Sequence, residues 1–138
     1  MIPYAAPIRD LQFVLKEMGL LEQVMQLPGC GEVTPDLVDA ILEEAGKFAS
    51  EQLAPINASG DKQGATIENG VVRLPDGYTQ AYKAFVDGGW NSVPFEERFG
   101  GQELPWTVAT AVTEMWQSAN MAWALCPLLN QGAVEALQ

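Results

Sequence analysis

Residues 95–106 read FEERFGGQELPW. Gly100 and Gly101 stand between a charged run and Pro105, and a long apolar pattern follows. A glycine pair ahead of a helix is a common place for phosphate to bind. The surrounding residues do not fit that use. A dinucleotide fingerprint needs GxGxxG between a strand and a helix. Here there is one glycine pair, no hydrophobic strand before it and no GK[ST] after it. The stretch therefore reads as a structural turn where two helices come close and glycine supplies the backbone geometry. A direct ligand contact at Gly100 and Gly101 is the weaker alternative.

On the C-terminal side, residues 105–126 form the longest helical pattern. Val108, Val112, Met115, Ala119, Ala122 and Cys126 fall on one stripe, with Trp116 and Trp123 seven apart on a neighbouring one. Pro127 is expected to break or kink this helix. A further helix begins near Asn130, and the chain ends in mid-pattern, as if cut.

On the other side, PDGYTQAYKAFVDGGW predicts a turn and then a helix with Tyr78, Tyr82, Phe85 and Val86 inward. Gly88 or Gly89 should end it. TIENGVVRL, residues 66–74, predicts a small hairpin. Asn69-Gly70 suits a type I′ turn between β-branched residues. NASGDKQG, residues 57–64, reads as a polar loop. Ahead of it Thr34 caps a helix, with Pro35 in its first position and Asp36 near the positive end of its dipole. That helix should stop near Ala54, because Pro55 cannot continue it. The first helix is expected from about Asp10, with Leu11, Leu15 and Met18 inward. A second is expected over residues 20–27, before the PGCG break. The sum is an all-α fold of about five to six helices with one small hairpin near residues 66–74.

Composition closes off several kinds of chemistry. The chain has 138 residues, 48% of them hydrophobic, with 18 acids against 7 bases and a net charge of −11. Nucleic acid and anionic membranes are poor partners for such a surface. There is no histidine. This removes the commonest general base and metal ligand, and leaves Ser50, Ser59, Ser92 and Ser118 without an activating partner. Cys30 and Cys126 lie far apart, so no zinc site is expected. Free thiols and the lack of an export-signal pattern suit a cytoplasmic location. Glu43-Glu44 and Glu96-Glu97 are neighbours whose side chains diverge, so they make no catalytic pair. Glu114 reads as partly buried beside Arg98 or Lys83. Cys126, Met115, Trp116, Met121 and Trp123 read as core, or else some of them line an apolar cavity.

In order, these pieces resemble a known family. YAAPIRDLQFVLKEMG, residues 4–19, resembles the N-terminal element Y-x-AP-x-RD-x-x-F-x-L-x-E of a long bacterial branch of the acyl-CoA dehydrogenases. Residues 68–116 resemble the next part of that branch: G-x-V-x-x-P-x-G, an aromatic helix, GGW, a YGGQGLP-like turn and a helix with an E-M/L step. Phe99 stands where tyrosine is usual, and Glu103 where glycine is usual. The resemblance implies an N-terminal extension element over residues 1–33 and the family's N-terminal helical domain over residues 34–138.

It further implies a flavoenzyme of fatty acid β-oxidation that makes an α,β double bond in an acyl-CoA thioester. In the family a carboxylate takes the α-proton and the β-hydride goes to FAD. The flavin and the glutamate base belong to a middle β domain and a C-terminal helical domain, which would lie past Gln138, so no catalytic residue is expected here. An electron-transfer flavoprotein or similar acceptor and a dimeric or tetrameric assembly are implied partners. By resemblance, Trp123, Cys126, Pro127 and Asn130 would form part of the acyl-chain wall, with bulky Trp123 shortening the cavity. The branch includes enzymes for sulfur-containing short-chain acyl-CoA. The competing reading is a stand-alone helical interaction module without catalysis, whose apolar surface meets a partner.

Overall fold

A computed structural model describes residues 4–137. Residues 1–3 and 138, the outer ends of the two expected segments, lie outside the described residues. Helix α1 (Ile8–Gln12) runs directly into a π-helical turn at Phe13–Glu17 and is followed by α2 (Leu20–Val24). Helix α3 (Pro35–Phe48) passes through a second π turn, Ala49–Leu53, into α4 (Ala54–Gln63). Strands β1 (Thr66–Glu68) and β2 (Val71–Arg73) form an antiparallel hairpin, with Ile67 opposite Val72. Then come α5 (Tyr78–Asp87), α6 (Trp106–Ala119) and α7 (Met121–Glu135). Counting α1 and α3–α4 as continuous through their π turns, the described residues hold six helical runs and one two-stranded sheet, as the sequence predicts.

The core lies where α3, α5, α6 and α7 meet. Leu42, Phe85 and Met115 are fully buried there, and Leu15, Leu21 and Val33 join the same cluster from the N-terminal segment. Aromatic rings fill its centre. Phe48 stands edge-on to Trp116 at 5.3 Å, and Phe85 edge-on to Trp123 at 5.3 Å. Such contacts add to the burial term because ring edges and faces carry opposite partial charge.

Several local signals hold. Thr34 accepts a hydrogen bond from the Leu37 amide, with Pro35 in the first turn of α3. Asn69 and Gly70 both have positive φ, as a type I′ turn requires. Tyr78, Tyr82 and Phe85 point into the core.

Five expectations are corrected. The helix does not stop at Ala54. The π turn shifts the bonding register, so Pro55 falls in the first turn of α4, where no amide hydrogen is needed. The polar stretch 57–63 is helical, because Gly60 lets α4 approach Tyr78. A Cβ on Gly60 would lie 2.5 Å from the Tyr78 ring. The long helix breaks at Asn120, not at Pro127, which sits inside α7. Because that break resets the helical phase, Ala122 and Cys126 turn outward and are exposed. Met18, Val86, Met121 and Glu114 are exposed as well, where an inward or partly buried side chain was expected.

Candidate functional site

Asn120 organises the side of the molecule that carries a cleft. Its side chain is fully buried. The Oδ1 atom accepts from the Trp123 amide at 3.1 Å, capping α7, and from the Tyr78 hydroxyl at 3.3 Å. The Nδ2 group donates to the Leu53 carbonyl at 3.3 Å. The indole Nε1 of Trp123 donates to the Tyr78 carbonyl at 3.2 Å. One amide side chain thus ties α5, α7 and the Ala49–Leu53 π turn together. Every side-chain polar atom in this buried network has a partner, which is the condition for burying it.

Beside the network lies a cleft of about 520 Å³ between α4, the segment leaving β2, α5 and α7. Leu74, Tyr78, Tyr82, Trp123 and Cys126 are among its walls. Its surface is mainly apolar, and Asp61 is the only carboxylate among the described lining residues. Nothing in it pairs an acid with a base or a nucleophile. Its chemistry is that of a container for an apolar chain.

The structure brings together most of the residues named from sequence. Trp123 and Cys126 line the cleft. Asn130 is exposed on α7 and donates from Nδ2 to the Tyr82 hydroxyl at 3.1 Å, on the cleft wall. Pro127 is buried in α7 and is not among the lining residues. Cys126, read as core from sequence, is exposed. Sequence reasoning missed Leu74 and the double role of Tyr78 and Tyr82, which are core on one side and wall on the other. It also missed Asn120. The signal was there, since asparagine is a preferred N-cap, but the unbroken apolar pattern around it masked the helix start.

The glycine turn is a separate feature. Gly100 has φ +82°. A Cβ on Gly101 would overlap the carbonyl group of Phe95 and lie 2.8 Å from the Glu96 oxygen. The amides of Gly100, Gly101, Gln102, Glu103 and Leu104 all donate to carbonyls at 2.8–3.1 Å, those of Glu97, Glu96, Ser92, Phe95 and Val93 in turn. A phosphate-binding turn needs free amides, and this one has spent them internally, with Glu96, Glu97 and Glu103 close by. The turn does not fit a flavin pyrophosphate. Among the described residues no cluster of histidine, cysteine or carboxylate side chains could hold a metal ion. No helix among them is long and apolar enough to cross a membrane.

The chain matches no family model. Among curated proteins it is 45% identical over 134 residues to a 3-methylmercaptopropionyl-CoA dehydrogenase of Ruegeria pomeroyi, covering 97% of this chain. It is 26% identical over 121 residues to a broad-specificity linear acyl-CoA dehydrogenase of Mycobacterium tuberculosis, covering 86% of this chain. The chain is homologous to acyl-CoA dehydrogenases. It spans 23% and 20% of the lengths of these two relatives.

Against the acyl-CoA dehydrogenase pattern of the sequence, the departure at Glu103 has a local explanation. Glu103 has φ +50°, the region that suits glycine. Its carboxylate accepts from the Glu97 amide at 2.9 Å, which offsets the strain. Glu103→Gly removes both, and its stability should stay within about 1 kcal/mol of the parent. Glu103→Ala keeps the strain and loses the bond, so it should melt below Glu103→Gly. Thermal midpoints in the reverse order would refute this.

Proposed function

We propose that this chain is the N-terminal helical part of a flavin-dependent acyl-CoA dehydrogenase and that the cleft at Trp123 walls the acyl chain of the substrate. The observation that carries this reading is the coincidence of 45% identity over 97% of the chain with an apolar cleft lined by Trp123 and Cys126. FAD would be held by the rest of such an enzyme and would supply the hydride acceptor. The residues present here bind, orient and exclude water. Tyr78, Tyr82 and Leu74 offer an apolar wall, and Trp123, fixed at both its amide and its indole nitrogen, closes the bottom. A wall anchored at Trp123 by these hydrogen bonds would orient the acyl chain so that the thioester stands in register for proton and hydride removal. The free cysteines suit a reducing cytoplasm. An electron-transfer flavoprotein as acceptor and a homo-oligomeric assembly follow from the same family reading.

The substrate we favour is a short acyl-CoA with a thioether in the tail. The support is the name of the Ruegeria pomeroyi relative, a 3-methylmercaptopropionyl-CoA dehydrogenase, and the bulk of Trp123 at the cleft. The test is a chain-length profile of kcat/KM for the intact enzyme and for Trp123→Phe, which keeps an aromatic ring but shortens it. The variant should gain about tenfold on substrates roughly two methylenes longer. An unchanged profile would remove Trp123 from the wall. No turnover of any acyl-CoA by the intact protein would reject the dehydrogenase reading itself. The 138-residue chain alone is expected to be inactive.

A further inference from the structure

The aromatic walls of the cleft at Trp123 differ in what their polar atoms do. The Tyr78 hydroxyl donates to Asn120, and the Trp123 indole donates to the Tyr78 carbonyl, so both donors are spent inside the fold. The Tyr82 hydroxyl works the other way round. It accepts from Asn130 Nδ2 at 3.1 Å, and no described residue accepts from it in turn. Its own hydrogen is uncommitted. A hydroxyl that accepts one hydrogen bond is polarised into a better donor for the next. The Tyr82 ring is half-buried, stacked on Phe85 at 6.3 Å and 6.3 Å from Trp123. The phenol is thus held along its ring by the aromatic core and at its tip by Asn130, which does not itself line the cleft. The remaining polar side chains of the wall suit a ligand less. Thr79 and Cys126 are exposed, where water competes, and the Asp61 carboxylate only accepts.

We propose that Tyr82 is a specificity-determining donor, which selects acyl chains carrying an uncharged acceptor, a thioether sulfur or an ether oxygen, near their end. Asn130 is its positioning residue. The proposal rests on the acyl-wall reading of the cleft. An all-carbon chain would take water from the Tyr82 hydroxyl and return no bond, whereas a chain with a heteroatom replaces the water it displaces. Oxygen is the stronger acceptor and sulfur the weaker. Selection against the all-carbon chain is therefore graded, larger for the ether than for the thioether.

The test uses the intact enzyme and a set of acyl-CoAs of equal chain length: a methyl thioether, its oxygen ether and the all-carbon chain. The readout is kcat/KM for each heteroatom substrate divided by that for the all-carbon one. Comparing this ratio between parent and variant cancels the intrinsic reactivity of each substrate. Tyr82→Phe keeps the ring and should lower the ether ratio about fivefold, and the thioether ratio by less. Asn130→Asp is the sharper variant. A carboxylate accepts only, so the Tyr82 hydrogen turns to it. The tether survives while the donor is spent, and both ratios should fall as they do in Tyr82→Phe. Asn130 is exposed and Tyr82→Phe removes a single oxygen, so both variants should fold. Unchanged ratios in Tyr82→Phe would overturn the proposal and leave the acyl wall to be judged by Trp123→Phe. Ratios that hold in Asn130→Asp, or that fall in Thr79→Val and not in Tyr82→Phe, would overturn it too. No turnover of any acyl-CoA by the parent would overturn both this proposal and the reading beneath it.

Discussion

Gly101→Ala is expected to destabilise the chain by about 3–5 kcal/mol, at the far end of what single substitutions do. The reason is geometric. A Cβ at residue 101 would overlap the Phe95 carbonyl and press on the Glu96 oxygen. Both are backbone groups, and the Phe95 oxygen already accepts from the Glu103 amide at 2.9 Å. Neither can rotate away as a side chain could. Relief requires the turn to open, which breaks several of the amide bonds that run from Gly100 to Leu104. Chemical denaturation should show a lower midpoint with little change in slope. Gly100→Ala meets no atom within 4 Å and bears only its positive φ of +82°, so it should cost about 1 kcal/mol. Equal losses at the two glycines would contradict the close-approach account.

The second large effect is at Asn120. Asn120→Ala removes the cap bond to the Trp123 amide and leaves the Tyr78 hydroxyl and the Leu53 carbonyl without their Asn120 partner in a buried interior. About 3 kcal/mol should be lost, from one cap bond and two further buried polar contacts. Asn120→Asp gives a sharper test. It keeps an acceptor for the Trp123 amide and the Tyr78 hydroxyl but sets a carboxylate against the Leu53 carbonyl. Burial and that carbonyl both disfavour the charged form, so the folded-state pKa of the new aspartate should rise above its ordinary value of about 4. Its protonated form donates where the Nδ2 group did. The sign follows from linkage. Stability in this variant should be largest below about pH 4 and fall as pH rises through the folded-state pKa. Denaturation of parent and variant at paired pH values checks this, and a difference independent of pH would show that the site stays wet.

The cases where the sequence spoke clearly are those in which one residue settles local geometry. Thr34 with Pro35 opens α3, and Asn69-Gly70 makes a hairpin whose strands are exposed and owe little to packing. The failures share a different cause. Pro55 reads as a stop only if helical register is fixed, and a π turn just before it changes the register. Residues 57–63 are polar enough to read as loop, but the contact of Gly60 with Tyr78 is made from a distant part of the chain. At Asn120 an apolar pattern runs through on both sides, and the break depends on partners at Leu53 and Tyr78. That break in turn decides the cleft, because it rotates Cys126 out of the core stripe and onto the wall. The cleft residues on α7 could be named from family resemblance, whereas the wall from α5 and the hairpin required tertiary structure.

The central claim is that the acyl chain of a thioester substrate lies against the cleft of Tyr82, Trp123 and Cys126. The most direct measurement is photo-crosslinking of the intact enzyme with an acyl-CoA bearing a diazirine at the end of a short acyl chain, followed by peptide mapping. The account predicts label on the α5 and α7 peptides that hold Tyr82, Trp123 and Cys126, with loss of label when unmodified substrate competes. Competed label found only elsewhere in the enzyme would contradict it.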